Sequence, residues 1–232
     1  MKIAILNFSG NVGKTTIARH LLAPRLPKAR LLSVESANAD EGEADALRGT
    51  QFAMLQQALQ VDNDLIVDIG ASNIEDLLAG MQKYKGSHAD FDYFVVPTVA
   101  DAKQQRDTSN TVEKLSGIGV APGRIRLVLN RIDATIPVAE QFSLLEQVLS
   151  AKAFCAFNPL CAITENEIYQ LVKHDSRSLR ELAEDTTDFK GLIAQAPTRQ
   201  AKVDIAQGLA IKRLADGVLP ELDACFKALA LQ

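Results

Sequence analysis

The feature that most constrains this chain is a short apolar strand that runs directly into a glycine-containing turn and then a helix. The strand spans Lys2–Asn7, the turn Ser9–Gly13 and the helix Lys14–Leu22, whose apolar residues have helical spacing. Gly13–Thr15, the G-K-T at the start of that helix, is the core of a phosphate-binding loop. Backbone N–H groups of such a turn converge on phosphate oxygens, so the motif predicts a site for a phosphorylated ligand.

The side chains of this loop have separate predicted roles. Lys14 supplies a positive charge for the β- and γ-phosphates, the Thr15 hydroxyl is a candidate Mg²⁺ ligand, and Thr16 can reach another phosphate oxygen. The predicted nucleotide-binding residues of the loop are Ser9, Gly10, Asn11, Val12, Gly13, Lys14, Thr15 and Thr16. The alternative is a strand-turn-helix whose glycines serve packing alone, and the position of the motif at the first strand end disfavours it.

The rest of the chain alternates apolar strands with helices. Further strands are predicted at Ala29–Glu35, Asp64–Ile69, Phe91–Val96, Arg124–Asn130 and Ala153–Leu160, and further helices at Gln51–Leu59, Asn73–Tyr84 (capped by Ser72 or Asn73), Lys103–Leu115 and Val138–Leu149. Continuously apolar strands are typical of a parallel sheet that is covered on both faces. We therefore expect an α/β fold with a mostly parallel central sheet, as one domain over residues 1–232. From about residue 165 it should be mostly helical, with Pro197 and Pro220 as interruptions.

A second motif follows the predicted strand Asp64–Ile69, where an apolar run ends in an acid. Asp68 at this strand end would hold Mg²⁺ through water, together with Thr15, and Gly70 would begin a switch segment that senses the γ-phosphate. An apolar strand that ends in an acid is common by itself. Combined with the phosphate loop, it indicates a site for a nucleotide and magnesium.

The loop resembles the deviant phosphate loop of the ParA/MinD ATPases, x-K-G-G-x-G-K-[ST]-[ST]. The matching positions are Gly10, Val12, Gly13, Lys14, Thr15 and Thr16. Ser9 stands where that family has an extra lysine, and Asn11 stands where it has its second glycine. In the family this lysine reaches the phosphates across an ATP-sandwich dimer, so that contact and the hydrolytic rate are left open here.

The same resemblance implies roles for residues at two other strand ends. The family places acids after its second strand, one of which positions the attacking water; here the candidates are Glu35 and Asp40, or these acids form a solvated loop. The family also has an Asn that reads the adenine edge, which implies that Asn130, followed by Arg131, contacts the base. The alternative for Asn130 is a simple strand cap.

Within this family the chain is most similar to the StbB/TraL-like plasmid-stability and conjugation proteins, on the strings NFSGNVGKTTIARHLLAPR and DIGAS. The resemblance implies an ATPase that binds ATP and Mg²⁺ and switches between states in plasmid stability, partition or conjugative transfer. It also implies a nucleotide-dependent homodimer and a plasmid-encoded DNA-binding partner. Two alternatives remain: an ATP-dependent biosynthetic enzyme of the dethiobiotin-synthetase type, and a nucleotide-binding scaffold with little hydrolysis.

Composition limits the remaining possibilities. The net charge of −4 disfavours a protein that coats DNA over its whole surface, so the DNA contact is expected to be indirect. Three scattered cysteines without a C-x-x-C fit a reducing cytoplasm, and no apolar run approaches the ~20 residues of a membrane span. The terminal region from Val203 contains acids and helix-interrupting residues, which favours core or dimer packing over a membrane anchor.

Overall fold

Seven parallel strands form one sheet in the part of the chain that the structure describes. The structure is a computed structural model, and it describes residues 1–34, 46–47 and 52–231. The strands are β1 (Lys2–Ile5), β2 (Arg30–Val34), β3 (Ala46–Leu47), β4 (Leu65–Ile69), β5 (Tyr93–Thr98), β6 (Ile125–Ile132) and β7 (Ala162–Thr164). Their order is β3-β2-β4-β1-β5-β6-β7, and all neighbouring pairs are parallel. The strand that carries the phosphate-loop motif is therefore the central one, between β4 and β5.

The helices connect the strands as crossovers and then extend beyond the last strand. The first helix begins as α1 (Lys14–Thr16), continues as a π-helix over Ile17–Leu22 and ends in a 3₁₀ turn over Ala23–Arg25. The others are α2 (Phe52–Val61), α3 (Ile74–Lys83), α4 (Ala102–Gly117), α5 (Val138–Gln141), α6 (Ser143–Lys152), α7 (Ile168–Leu171), α8 (Leu179–Ala183), α9 (Phe189–Gln195) and α10 (Arg199–Leu229). None of the helices in the described residues combines the length and the apolarity needed to cross a membrane.

A separate hydrophobic core covers each face of the sheet. Ile3 and Ile5 of β1 point to one face, where they join the first helix, α7, α8 and the second half of α10. Ala4 and Leu6 point to the other face, where they join α2, α3, α4 and α6. Because both faces are covered, the central strands have no polar side, which explains their continuously apolar sequence. The predicted α/β fold with a parallel sheet and helices on both faces is confirmed.

Two predictions of local structure are wrong, and a third, which is helical as predicted, needs a correction at one residue. No strand occupies Ala153–Leu160: α6 runs to Lys152, Ala153 caps it in a left-handed conformation, and the strand follows at Ala162–Thr164. Pro220 does not interrupt the last helix, because α10 is continuous through it and buries side chains on both sides of it. The predicted helix Val138–Leu149 is divided at Phe142 into α5 and α6.

The start of α3 differs from its prediction in the role of one side chain. Asn73 lies at the N-cap of this helix, but its side chain makes no capping hydrogen bond. Its Nδ2 instead donates to the backbone oxygen of Val34 at 3.1 Å. The amide therefore joins the segment after β4 to the end of β2, and Ala71–Asn73 forms a 3₁₀ turn before α3 begins.

Candidate nucleotide-binding site

The loop after β1 contains two residues in the left-handed region, Asn11 with φ of 57° and Gly13 with φ of 90°. Glycine and asparagine are the residue types that adopt this conformation most readily. A Cβ atom on Gly13 would lie 2.2 Å from Nδ2 of Asn130, so a side chain at position 13 has no room. At Gly10 no described atom lies within 4 Å of such a Cβ, so packing in the described structure does not require glycine there.

The Lys14 side chain folds back across this loop. It is 8% exposed, and its Nζ donates to the backbone oxygens of Ser9 at 2.8 Å and of Asn7 at 3.2 Å. A buried ammonium group attracts anions strongly, because little water screens its charge. The loop therefore holds a positive charge where the motif predicts that its N–H groups converge.

Thr15, in the first turn of the helix after the loop, meets Asp68 near the end of β4. β1 and β4 pair in register with Ile5 opposite Asp68, and the Thr15 hydroxyl donates to Oδ2 of Asp68 at 2.6 Å. A hydroxyl and a carboxylate are oxygen donors of the kind that Mg²⁺ prefers. Among the residues that the structure describes, no three His, Cys, Asp or Glu side chains gather as a metal site. The fit of this pair to Mg²⁺ therefore depends on further ligands from a nucleotide and water.

Asn130 contacts the loop from the end of β6. It is 3% exposed, and its Nδ2 donates to the backbone oxygen of Val12 at 2.9 Å. The structure thus gives this side chain a contact with the loop that the sequence analysis missed, while the predicted contact with adenine stays a prediction. Arg131 follows at a bulge in β6, is exposed, has φ of 54° and borders the same groove as the loop.

A buried polar network that the sequence analysis missed fixes the beginning of the loop. The Nδ2 of Asn7 donates to the backbone oxygen of Pro97 and to the hydroxyl of Thr108, and its Oδ1 accepts the N–H of Ser9. Thr111, one turn further along α4, accepts the N–H of Phe8. The signal for this network was the helical spacing of the threonines at 108 and 111, which places them on one face of α4.

The remaining predicted loop residues differ in exposure. Ser9, the position of the extra lysine in the resembled family, is buried, as is Val12, whereas Gly10 and Asn11 are exposed. Thr16 is half-buried beside the same groove. The candidate water-positioning acids, Glu35 and Asp40, lie outside the described residues. The structure therefore brings Lys14, Thr15, Asn130 and Arg131 together around the loop, and the hydrogen bond of Thr15 adds Asp68 to them.

A groove of about 1400 Å³ extends from the loop along the first helix to α7 and α8. His20 lines it on the first helix, and no described residue bonds its buried Nδ1. Burial, with a smaller contribution from Arg19, lowers the pKa of His20 from 6.5 to about 4. Burial also raises the pKa of Tyr169 on α7, whose ring centre lies 6.2 Å from that of His20 and whose hydroxyl is buried. Both side chains are therefore neutral at pH 7.

Comparison with known proteins identifies the fold through structure alone. No protein-family model matches the sequence, and no curated protein matches it significantly. Among solved structures, apo McdA from Cyanothece has a TM-score of 0.52 and 16% identity, over 90% of this chain and 98% of that one. The ATP complex of a McdA variant from Cyanothece has a TM-score of 0.52 and 17% identity, over 96% of each chain. The MinD cell division protein from Aquifex aeolicus has a TM-score of 0.51 and 15% identity, over 90% of this chain and 96% of that one. The chain shares the α/β phosphate-loop fold of these proteins.

Proposed function

We propose that this chain binds ATP with Mg²⁺ at the loop of residues 9–16, hydrolyses it and uses the nucleotide as a switch. The observation that carries the proposal is the hydrogen bond from the Thr15 hydroxyl to Asp68, next to a buried Lys14, at the carboxyl end of the central strand. Ligands of parallel α/β folds bind at this edge of the sheet. Hydroxyl, carboxylate, ammonium and converging N–H groups together match the parts of a magnesium–triphosphate.

Each group has a defined part in the proposed site. The loop N–H groups and Lys14 bind and neutralise the phosphates, and Thr15 and Asp68 hold Mg²⁺, with Asp68 acting through water. When bound, Mg²⁺ supplies further neutralisation of phosphate charge. An acid from Glu35 or Asp40 orients the attacking water. Asn130 and Arg131 lie beside the base, where the Asn130 amide fixes the loop as well.

The proposed output of the switch is a change in affinity for partners. Two copies would associate when ATP is bound, and a plasmid-encoded DNA-binding protein would supply the DNA contact in plasmid stability, partition or transfer. The StbB/TraL-like strings of the sequence and the acidic net charge support this reading. The similarity to McdA and MinD agrees with it at the level of the fold.

Measurement of ATP binding and turnover by the purified chain tests the proposal. With Mg²⁺ present, we expect binding and slow hydrolysis, and Lys14→Ala should weaken binding and abolish turnover. Lys83→Ala, which removes an exposed lysine at the end of α3, is the matched control and should behave like the wild type. Absence of ATP binding by the wild-type chain would refute the proposal, and binding without turnover would leave a nucleotide-binding scaffold.

The extent of the groove favours a second candidate, an ATP-dependent biosynthetic enzyme. The groove is larger than the ~300–1,000 Å³ of an ordinary ligand pocket, and its lining continues past the loop to Lys173 and His174. Such an enzyme would release ADP only when its second substrate is present. ADP release that depends on one member of a panel of small carboxylates and amines, and not on DNA or protein, would select this candidate.

A further inference from the structure

Residues 184–214, all described, form the longest part of the chain without a buried side chain. Within it, α9 packs against the first half of α10. The ring of Phe189 lies so close to Gly208 that a Cβ atom at position 208 would be 2.9 Å from it. We call residues 189–213 the arm. Helices of globular domains bury one face against a core, whereas the arm contacts the rest of the molecule through Ile211 and Lys212 at its C-terminal end and otherwise has the contact between its own two helices.

The arm projects from the edge of the sheet that carries the phosphate loop. The backbone oxygen of Leu229 accepts a hydrogen bond from Arg126 near the start of β6, and Glu221 accepts the N–H of Thr164 at the end of β7. α10 therefore runs antiparallel to the strands, and its residues 199–212 extend about 20 Å further. Lys212, at the C-terminal end of the arm, donates to the backbone oxygen of Ala183, and the neighbouring Glu184 lines the groove. The arm therefore joins the rest of the molecule at the rim of the groove.

Charge distinguishes the arm from the rest of the molecule. Five basic residues and one acid give the arm a net charge of +4, whereas the whole chain carries −4, which leaves −8 on the remainder. Lys190, Arg199, Lys202 and Arg213 have no hydrogen-bond or ion-pair partner among the described residues. By net charge the remainder of a second copy therefore attracts the arm, and half of that negative charge lies within residues 35–51.

The arm also exposes apolar side chains between its charges. Leu192 is 46% exposed and Val203 is 51% exposed. Burial of such side chains against protein removes apolar surface from water, whereas a phosphate backbone offers them no apolar partner. The acidic remainder of the chain would in addition repel a nucleic acid.

We propose that the arm, which projects from the edge of the sheet that carries the nucleotide site, docks on the body of a second copy of this chain. If the arm of each copy docks on the other copy, two equivalent contacts hold the dimer together. The nucleotide dependence of this contact rests on the proposed function, but the contact itself does not. Opposite net charge and exposed apolar surface together favour a second copy as the partner of the arm.

Charge reversal on the arm tests the contact by sedimentation velocity, with and without Mg-ATP. The arm variant carries Lys190→Glu, Arg199→Glu and Lys202→Glu. The control carries Lys83→Glu, Lys85→Glu and Lys114→Glu, an equal change of charge at exposed positions near the opposite edge of the sheet. We expect the dimer dissociation constant to rise at least tenfold in the arm variant and to stay unchanged in the control. Equal dimerisation of both variants, or a wild-type chain that stays monomeric with and without nucleotide, would overturn the inference.

A fluorophore attached to an introduced cysteine tests the same contact in a chain whose charges are unchanged. The three native cysteines are buried, and burial raises the pKa of Cys155 to about 12 and of Cys161 to about 11, so they remain unreactive thiols. A fluorophore on Val203→Cys should become shielded from a soluble quencher as the protein concentration rises. The same fluorophore on Val61→Cys, 80% exposed and at the end of α2, should not. Equal quenching at both positions throughout the titration would contradict docking of the arm.

Parallel measurements separate this inference from the proposed function. Dimerisation that depends on the arm in a chain that binds no ATP would support the contact and refute the nucleotide switch. ATP binding by a chain that remains monomeric would support the nucleotide site and refute the contact of the arm. Fluorescence anisotropy with duplex DNA tests the other partner: loss of DNA binding in the arm variant, with dimerisation unchanged, would identify a nucleic-acid surface and overturn the inference.

Discussion

At the scale of single residues, Gly10 and Gly13 of the phosphate loop occupy different surroundings. Gly13→Ala places a side chain at φ of 90° and a Cβ 2.2 Å from the Asn130 amide. The left-handed conformation alone costs about 1–2 kcal/mol, and the Asn130 amide must also move away from Val12. We expect urea unfolding to show a loss of at least 2 kcal/mol. Gly10→Ala, which meets no described atom, should change stability by less than about 0.5 kcal/mol. Equal stability of the two variants would contradict this description of the loop.

His20 makes the stability of the molecule depend on pH. Its pKa is about 4 in the folded chain and 6.5 when unfolded, so the unfolded state binds more protons between these values. The free energy of unfolding therefore falls as the pH drops through 6.5, by about 2 kcal/mol between pH 7.5 and 5. His20→Gln should remove this part of the pH dependence, as measured by urea unfolding at both values. His174 is exposed, so the control variant His174→Gln should retain the pH dependence of the wild type. An unaltered pH dependence in His20→Gln would contradict the prediction.

At the scale of elements, Pro220 is a proline that its helix tolerates. Proline in a helix interior costs about 3 kcal/mol relative to alanine, because it removes one hydrogen bond and crowds the preceding turn. α10 continues through it because Val218 and Leu222 are buried on both sides of it. Since Pro220 itself is exposed, Pro220→Ala should raise the free energy of unfolding by about 1–3 kcal/mol. A loss of stability in urea unfolding would instead mean that the proline gives α10 a bend that its packing requires.

The same helix illustrates what the sequence can predict and what it cannot. The phosphate loop, the acid at the end of β4 and the alternation of elements are encoded locally, so the fold and the meeting of Thr15 with Asp68 follow from the sequence. The continuity of α10 depends on burial by distant elements, which no local pattern reports. The contact of Asn130 with Val12 also joins residues far apart in the chain, and adenine recognition by this residue stays a prediction.

At the scale of the whole molecule, the candidate site joins several elements of one sheet. Asn7 links β1 to β5 and α4, the bond of Thr15 to Asp68 links the first helix to β4, and Asn130 links β6 to the loop. Separation of the strands on unfolding would therefore destroy the site. A ligand that binds the folded state alone should stabilise the entire molecule, not only the loop.

Thermal unfolding in the presence of Mg-ATP tests this coupling. ATP at a hundred times its dissociation constant should stabilise the folded state by about 2.7 kcal/mol, because it binds that state alone. For a chain of this size the Tm should rise by about 5–10 °C. EDTA and the variant Asp68→Asn should each remove most of the increase, since both eliminate the magnesium ligation proposed for Thr15 and Asp68. An increase that survives both would show that the nucleotide binds without magnesium at this pair. No increase with ATP would mean that the loop, although formed, does not bind it.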